Sequence, residues 1–349
     1  MSLVQNLVGE FVDIIGDVHG ELEALKKLIN VLGYDNNGFH PKNRKLIFVG
    51  DLVDRGPDSP GVVFFVKNII ENGNGQMVLG NHEINVLQHK AKSGSGWYFE
   101  NQINKDKDYF PFKVTKEEER QEIFDFLSNQ PLALENENLR IIHAAWINEN
   151  IEVARKIPLG KVAQNYIEIE KNINKEIEVT GLLKNYHLEQ DEWIDEIEDS
   201  SAELPFLNYT CEYQLKHQMN NPLRVLTSGV EVKAKKMFFA SGKWRFIERQ
   251  NWWDFYDSTK PVVIGHFWRK HNSELKIADE NVFKDIEQID WHGKNKNVFC
   301  VDYSVGARFL ERKHNKKYGT YGKLAALSFP EKILTFEDGS IFNTIIKNN

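Results

Sequence analysis

The chain has 349 residues, 41% hydrophobic and 27% charged, a composition that supports a substantial buried core. With 44 basic against 51 acidic side chains, the formal net charge of −7 excludes a fold built around a broad nucleic-acid-binding face, though not a local basic groove. Only two cysteines, Cys211 and Cys300, and no apolar run of membrane-spanning length exclude a disulfide framework and a membrane span; two buried thiols, no signal peptide and a cytoplasmic location are expected.

In chain order, residues 11–15 form an apolar run that leads straight into Gly16-Asp17-Val18-His19-Gly20. Residues 45–49 lead in the same way into Gly50-Asp51-Leu52-Val53-Asp54-Arg55-Gly56, and residues 76–79 into Gly80-Asn81-His82-Glu83. β-Branched and aromatic runs bounded by glycine predict buried strands. Between them, Leu22, Leu25, Leu28 and Ile29 share one helical face, and residues 62–70 follow Pro60 as a second apolar helix. The alternation predicts βαβ units, an α/β fold with a largely parallel core, and ligands gathered beyond the carboxyl ends of the strands. A fourth strand over 139–142 leads into His143-Ala144-Ala145-Trp146.

From about 149 to 230 the chain is rich in Glu, Asn, Lys and Ile, and Val162, Tyr166, Ile169 and Ile173 fall on one helical face. This stretch is expected to be a mainly helical insertion or cap, with 1–148 and 231–349 forming one domain around it. Residues 260–264 are a further strand leading into Gly265-His266. Residues 297–302 and 323–329 are expected to be closing strands.

The side chains in these strings are metal ligands by type. Asp17 and His19 lie two apart, so in an extended segment both point to one side and can bind one ion. Asp51 carries two oxygens and can bridge two ions, Asn81 offers a neutral carbonyl, and His143 and His266 each end an apolar run. Carboxylate, amide and imidazole donors without a thiolate suit Mn, Fe, Zn or Mg. Two such ions side by side promote displacement at phosphorus. Arg55 presents a planar fork suited to phosphate oxygens, Asp54 can orient another catalytic group, and His82 is placed to donate a proton to a leaving group.

Taken together, the strings at 16–20, 50–56 and 80–83 resemble, in type and order, the first three blocks of the calcineurin-like metallophosphoesterases, and more closely the phosphoprotein phosphatase superfamily. Val301-Asp302-Tyr303-Ser304 and Tyr321-Gly322-Lys323-Leu324 look like the closing strands of its bacterial branch, which includes diadenosine tetraphosphatases. The resemblance implies two packed mixed β-sheets flanked by helices, with a dinuclear metal site at the strand ends. It implies two divalent ions, manganese first, with iron, zinc or magnesium as alternatives. Asp17, His19 and Asp51 would hold one ion, and Asp51, Asn81, His143 and His266 the other. His82 would be the general acid, paired with Asp54, and Arg55 would bind phosphate.

The expected reaction is in-line attack of a metal-bridging hydroxide on a phosphate ester or anhydride, with a nucleotide or other phosphorylated small molecule as substrate. A Ser/Thr phosphoprotein phosphatase and an inactive metal-binding regulator are the alternatives. Two features depart from the family pattern. His143-Ala144-Ala145-Trp146 stands where His-Gly-Gly or His-Ala-Gly is usual, and this string is the expected seat of specificity, together with the insertion after it. A second phosphate-binding arginine is expected at Arg249, with Arg245 and Arg269 as competitors. Trp146, Trp252, Trp253 and Trp268 all lie near motif residues, either to stack on bases or to pack the core.

Overall fold

The computed structural model describes residues 1–240, 242–270 and 282–347. The first half of the chain runs β1 (Val4–Asn6), β2 (Val12–Ile15), α1 (Leu22–Val31), β3 (Lys45–Phe48), α2 (Ser59–Glu71), β4 (Gly75–Met77) and α3 (Asn81–Leu87). It continues through α4 (Glu100–Ile103), α5 (Glu117–Ser128), β5 (Ala133–Glu135) and β6 (Arg140–Ile142). Five helices follow: α6 (Asn148–Lys156), α7 (Val162–Val179), α8 (Leu182–Glu192), α9 (Asn208–Met219) and α10 (Pro222–Ser228). Then come the hairpin β7 (Glu231–Ala240) and β8 (Lys243–Arg249), β9 (Val262–Ile264), β10 (Val298–Cys300), α11 (Arg308–Lys313), β11 (Ala325–Phe329), β12 (Ile333–Phe336) and β13 (Ile341–Asn343).

The strands form two packed mixed sheets. One is ordered β13-β12-β11-β2-β3-β4, the other β1-β5-β6-β9-β10. β2, β3 and β4 are parallel, as the strand–helix alternation predicts. The core is less parallel than expected, because β11 joins β2 antiparallel and the sheet continues antiparallel through β12 and β13. β11 needs no crossover helix to reach β2, since an antiparallel return brings it alongside directly.

Period-two alternation explains how the layers assemble. Val12 and Ile14 of β2, and Ile47 with Val49 at β3, meet Ile141, Val263 and Phe299 of the other sheet. Ile15, Leu46 and Phe48 face the opposite way and pack under the helices. Strands buried on both faces read as continuous apolar runs, which is why they stand out in the sequence. α2 begins earlier than its apolar pattern suggests: the Asp58 carboxylate accepts from Gly61 N–H at 2.9 Å, and Pro60 occupies its first turn.

The β7–β8 hairpin packs Phe246 against Leu204, Leu207 and Cys211, on and just before α9. Both cysteines are buried and unbridged. No helix among the described residues is long and apolar enough to cross a membrane.

Candidate metal centre

Both sheets deliver polar side chains to one place. Asp17 and His19 follow β2, Asp51 follows β3, and Asn81 opens α3 after β4. From the other sheet, His143 follows β6 and His266 follows β9. Asp51 Oδ2 lies 3.3 Å from His143 Nε2, 3.9 Å from His19 Nε2 and 3.8 Å from His82 Nε2. His19 Nε2 is 4.0 Å from Asp17 Oδ2, and His266 Nδ1 is 2.9 Å from Asn81 Oδ1. Ligand atoms of His19, Asp51 and His82 lie within 4.8 Å of one another, and so do those of Asp51, His143 and His266; Asp51 belongs to both groups.

The backbone achieves this convergence at a conformational cost. His19, Asp51, Asp54, Arg55 and His266 all have φ between 46° and 73°, the left-handed region that L-residues avoid. Such strain persists where surrounding structure over-determines it. It also corrects the sequence argument for Asp17 and His19. The segment is a turn rather than an extended strand, and the left-handed step at His19 is what brings its ring back beside Asp17. Two glycines are required by close approach. A Cβ on Gly80 would stand 2.2 Å from Asp51 Oδ1, and one on Gly265 would stand 2.1 Å from Asp17 Oδ1.

Ring orientation is set from behind. His19 Nδ1 is held by Val53 carbonyl at 3.0 Å and His143 Nδ1 by Val49 carbonyl at 2.8 Å, which turns both Nε2 atoms toward Asp51. His82 has its Nδ1 2.5 Å from Asp54 Oδ2, and its Nε2 faces Arg55 Nη2 at 3.3 Å. Arg55 also reaches His19 Nε2 at 3.1 Å, and its guanidinium lies 5.0 Å from the Trp268 ring centroid.

Burial and charge act against each other throughout. Burial, then the neighbouring Asp302 and Asp51, push the Asp17 carboxyl well above its ordinary range. At Asp51, burial raises the pKa, but His143 and His82 outweigh it and hold the group ionised. Burial and the charges of Arg55 and His82 keep His19 neutral; burial and Arg249 do the same for His266. His82 is driven up by Asp51 and Asp54 despite its burial.

These residues suit divalent cations. Asp17, Asp51 and Asp302 are buried carboxylates, with 1–2% of each residue exposed. His266 Nε2 and Asp302 Oδ2 are buried with no hydrogen-bond partner among the described residues, and His143 Nε2 has only Asp51 Oδ2 near it, at 3.3 Å. Buried carboxylates beside imidazole nitrogens form a hard-donor set that a cation neutralises.

Sequence reasoning missed three groups. Asp302 sits beside Asp17, accepts from Ser304 N–H at 2.8 Å and is pushed up to about 6, by burial and then by Asp51 against the Ser304 bond. It follows an apolar run exactly as Asp17 and Asp51 do, so the same signal could have found it. Glu83 accepts from the N–H groups of Gly80, Asp51 and Leu52, each at 2.8 Å, and so fixes the Asp51 turn. Burial, then Asp51, push its carboxyl to about 7. Trp97 donates to Asp54 Oδ1 at 2.5 Å, and nothing in its local sequence marks it.

The aromatic and arginine expectations divide. Trp146, Trp252 and Trp253 are buried core residues and cannot stack on a base; only Trp268 of the four is partly open. The Ala144–Trp146 string is therefore not a specificity surface. Ala144 N–H donates to Leu226 carbonyl and its own carbonyl accepts from Trp252, while Arg140 covers the Trp146 ring at 4.7 Å. Small alanines fit there because α10 packs directly on the strand end. Arg269 is buried and donates to the carbonyls of Cys300 and Glu287, a structural role. Arg249 and Arg245 line the same cleft as Asn81 and His266. That cleft, about 1610 Å³, has Tyr213, His217, Gln218 and Arg224 of α9 and α10 on one wall and the β7–β8 hairpin on another.

Residues 12–196 match the family described as calcineurin-like phosphoesterase. Over 74 residues the chain is 47% identical to a protein of Oceanobacillus iheyensis named asymmetrical bis(5'-nucleosyl)-tetraphosphatase, covering 20% of this chain and 30% of that one. Over 132 residues it is 35% identical to the symmetrical bis(5'-nucleosyl)-tetraphosphatase of Proteus mirabilis, covering 38% of this chain and 42% of that one. The matches thus span less than half the length of these curated relatives. Among solved structures, a cold-active protein-tyrosine phosphatase of a psychrophilic Shewanella is 16% identical over 98% of this chain and 82% of its own, with a TM-score of 0.48.

Proposed function

Because the chain belongs to the calcineurin-like phosphoesterases, we propose that it is a metal-dependent hydrolase of phosphoric esters or anhydrides that acts on nucleotide-type substrates. The observation that carries this reading is the convergence of Asp51, between His143 and His19, with the Arg55–His82–Asp54 chain beside it. Relatives named as nucleoside tetraphosphatases support the nucleotide part.

Asp17, His19 and Asp51 would hold one ion, and Asp51, Asn81, His143 and His266 a second. Two divalent ions there would supply Lewis acidity at the phosphoryl oxygens and lower the pKa of a coordinated water, with manganese our first candidate. The chain's own groups do the rest. Arg55, braced on Trp268, holds the phosphoryl oxygens, and Arg249 adds a cation at the cleft side of His266. The oxygen of water adds to phosphorus opposite the leaving oxygen, the bond to that oxygen breaks, and His82 Nε2 gives it a proton. Asp54 keeps the imidazole oriented through Nδ1. The free, buried state of both cysteines supports a cytoplasmic location.

One observation favours a second reading. The cleft, about 1610 Å³, exceeds an ordinary small-molecule pocket and could admit a phosphopeptide. The deciding experiment is a parallel panel with Mn²⁺, Mg²⁺, Zn²⁺ and Fe²⁺, using diadenosine tetraphosphate, mononucleotides, cyclic nucleotides, a Ser/Thr phosphopeptide and nitrophenyl phosphates. Metal-dependent turnover with preference for a nucleotide is expected. Preference for the phosphopeptide would replace the nucleotide reading, and no turnover of any ester would leave a metal-binding regulator.

A further inference from the structure

The β7–β8 hairpin carries a row of cations along the cleft that leads away from His266. In β8, Lys243, Arg245 and Arg249 line the cleft together with Ile247, as period-two alternation requires. Phe246 and Trp244 point the other way, into the apolar cluster around Leu204, Leu207 and Cys211. β7 adds two more. Its register against β8 slips between Lys233 and Phe238, and the successive residues Lys235 and Lys236 both line the cleft. A regular strand would send them to opposite faces; an irregularity of this kind re-aims a side chain.

Lys235, Lys236, Lys243 and Arg245 form no ion pair with any described residue. They are also crowded. Burial, then Arg245 and, more weakly, Lys92, depress the Lys243 ammonium against a nearby Glu198, and burial with Arg249 depresses Arg245 against Glu231. Acidic residues line the cleft too, namely Glu170, Glu231, Glu248 and Asp254. Glu170 is engaged by His217 and Asn221, and Glu231 lies opposite Arg249 in the strand register and also acts on Arg245, while Glu248 and Asp254 line the cleft beside Arg249 and the residues that follow it. From 243 to 249 the row extends about 20 Å at the usual strand rise. In a chain of net charge −7, Lys235, Lys236, Lys243 and Arg245 concentrate positive charge along one side of the cleft, a surface that suits an extended polyanion.

We propose that the cleft face of the hairpin is a subsite for a phosphate chain: Lys235, Lys236, Lys243 and Arg245 hold the further phosphates of a linear substrate with three or more, while one phosphate sits at the Asp51 cluster. This rests on the hydrolase reading above and deepens it. Water adds to the held phosphorus and gives up a proton to solvent, the bridging P–O bond breaks, and the departing phosphate oxygen takes the proton from His82, which regains one from solvent. The shared ligand chemistry is the chain itself, whether free or capped by nucleosides.

The test uses the full chain and two double variants, Lys235→Gln with Lys236→Gln and Lys243→Gln with Arg245→Gln, each checked for unchanged thermal unfolding. With Mn²⁺, the selectivity for diadenosine tetraphosphate and for tripolyphosphate over nitrophenyl phosphate is expected to fall about tenfold in each double variant, mostly through KM, as charge-assisted contacts are lost. Equal effects on both chains assign recognition to the phosphates, and an effect on the dinucleotide alone assigns it to a nucleoside-capped chain. Calorimetric binding of tripolyphosphate without metal should be present in the wild type and lost in the combined variant. Unmoved selectivity and binding overturn the subsite. An absence of nitrophenyl phosphate hydrolysis in the wild type would instead overturn the hydrolase reading, with the calorimetry still deciding the subsite.

Discussion

Asp54 receives His82 Nδ1 and Trp97 Nε1 at 2.5 Å each, and its own N–H donates to Ser59 Oγ at 3.0 Å. Both carboxylate oxygens are thus used, and the His82 ring has one orientation open to it. On the proposed mechanism Trp97 would act through Asp54, as a positioning residue. Trp97→Phe keeps the apolar volume but removes the donor; kcat on a substrate with a poor leaving group is expected to drop about tenfold, as when an outer-shell partner is lost. KM and bound metal should stay put, and nitrophenyl phosphate should be affected much less, as also expected for His82→Ala. A loss equal on both substrates would mean that Trp97 only packs the core. At this scale His82, Asp54 and Arg55 were legible in the sequence as candidates because they share two short strings. It could not show Trp97, which reaches Asp54 from 43 positions away.

Among the elements, α7, α9 and α10 are tied together by Glu170. It accepts from His217 Nδ1 and Asn221 Nδ2, each at 2.9 Å, while Asn221 Oδ1 caps α10 at Leu223 N–H. Burial raises the Glu170 carboxyl, but the bonds from His217 and Asn221 outweigh it and hold the group below its ordinary value. A carboxyl depressed in the folded state stabilises fully above its unfolded pKa and loses that contribution as pH falls through the folded value. Glu170→Gln is therefore expected to cost about 1–2 kcal/mol at pH 7, with a gap to wild type that shrinks below about pH 4. Urea unfolding at both pH values checks this, and a gap independent of pH would remove Glu170 from the account. The helical spacing around Val162, Tyr166 and Ile173 was legible in the sequence, and those residues are buried in α7. The β7–β8 hairpin was not, since its register slip breaks the period-two pattern and β7 places charged residues at both parities, Lys235 next to Lys236.

For the whole molecule, the two sheets meet with buried carboxylates from Asp17, Asp51 and Asp302 at their shared end. Cations bound there would stabilise the native state alone, by about 2.7 kcal/mol at a hundred times Kd. Chelation is expected to lower Tm and added Mn²⁺ to restore it, whereas Asp51→Asn should abolish the Mn²⁺-dependent rise; a Tm indifferent to chelation in the wild type would contradict the ion site. By itself the sequence determined the strand-then-motif order, the candidate ligands by type and the family they resemble. Each of those signals lies within a few consecutive residues, where an apolar run ends in a glycine-flanked polar turn. Only the tertiary structure decided that Asp302 joins Asp17, that Glu83 fixes the Asp51 turn, that the tryptophans near the motifs are core, and that a cationic hairpin borders the cleft. These depend on which distant segments the two sheets bring together, and on left-handed steps at residues such as His19 and Asp51 that no side-chain pattern announces.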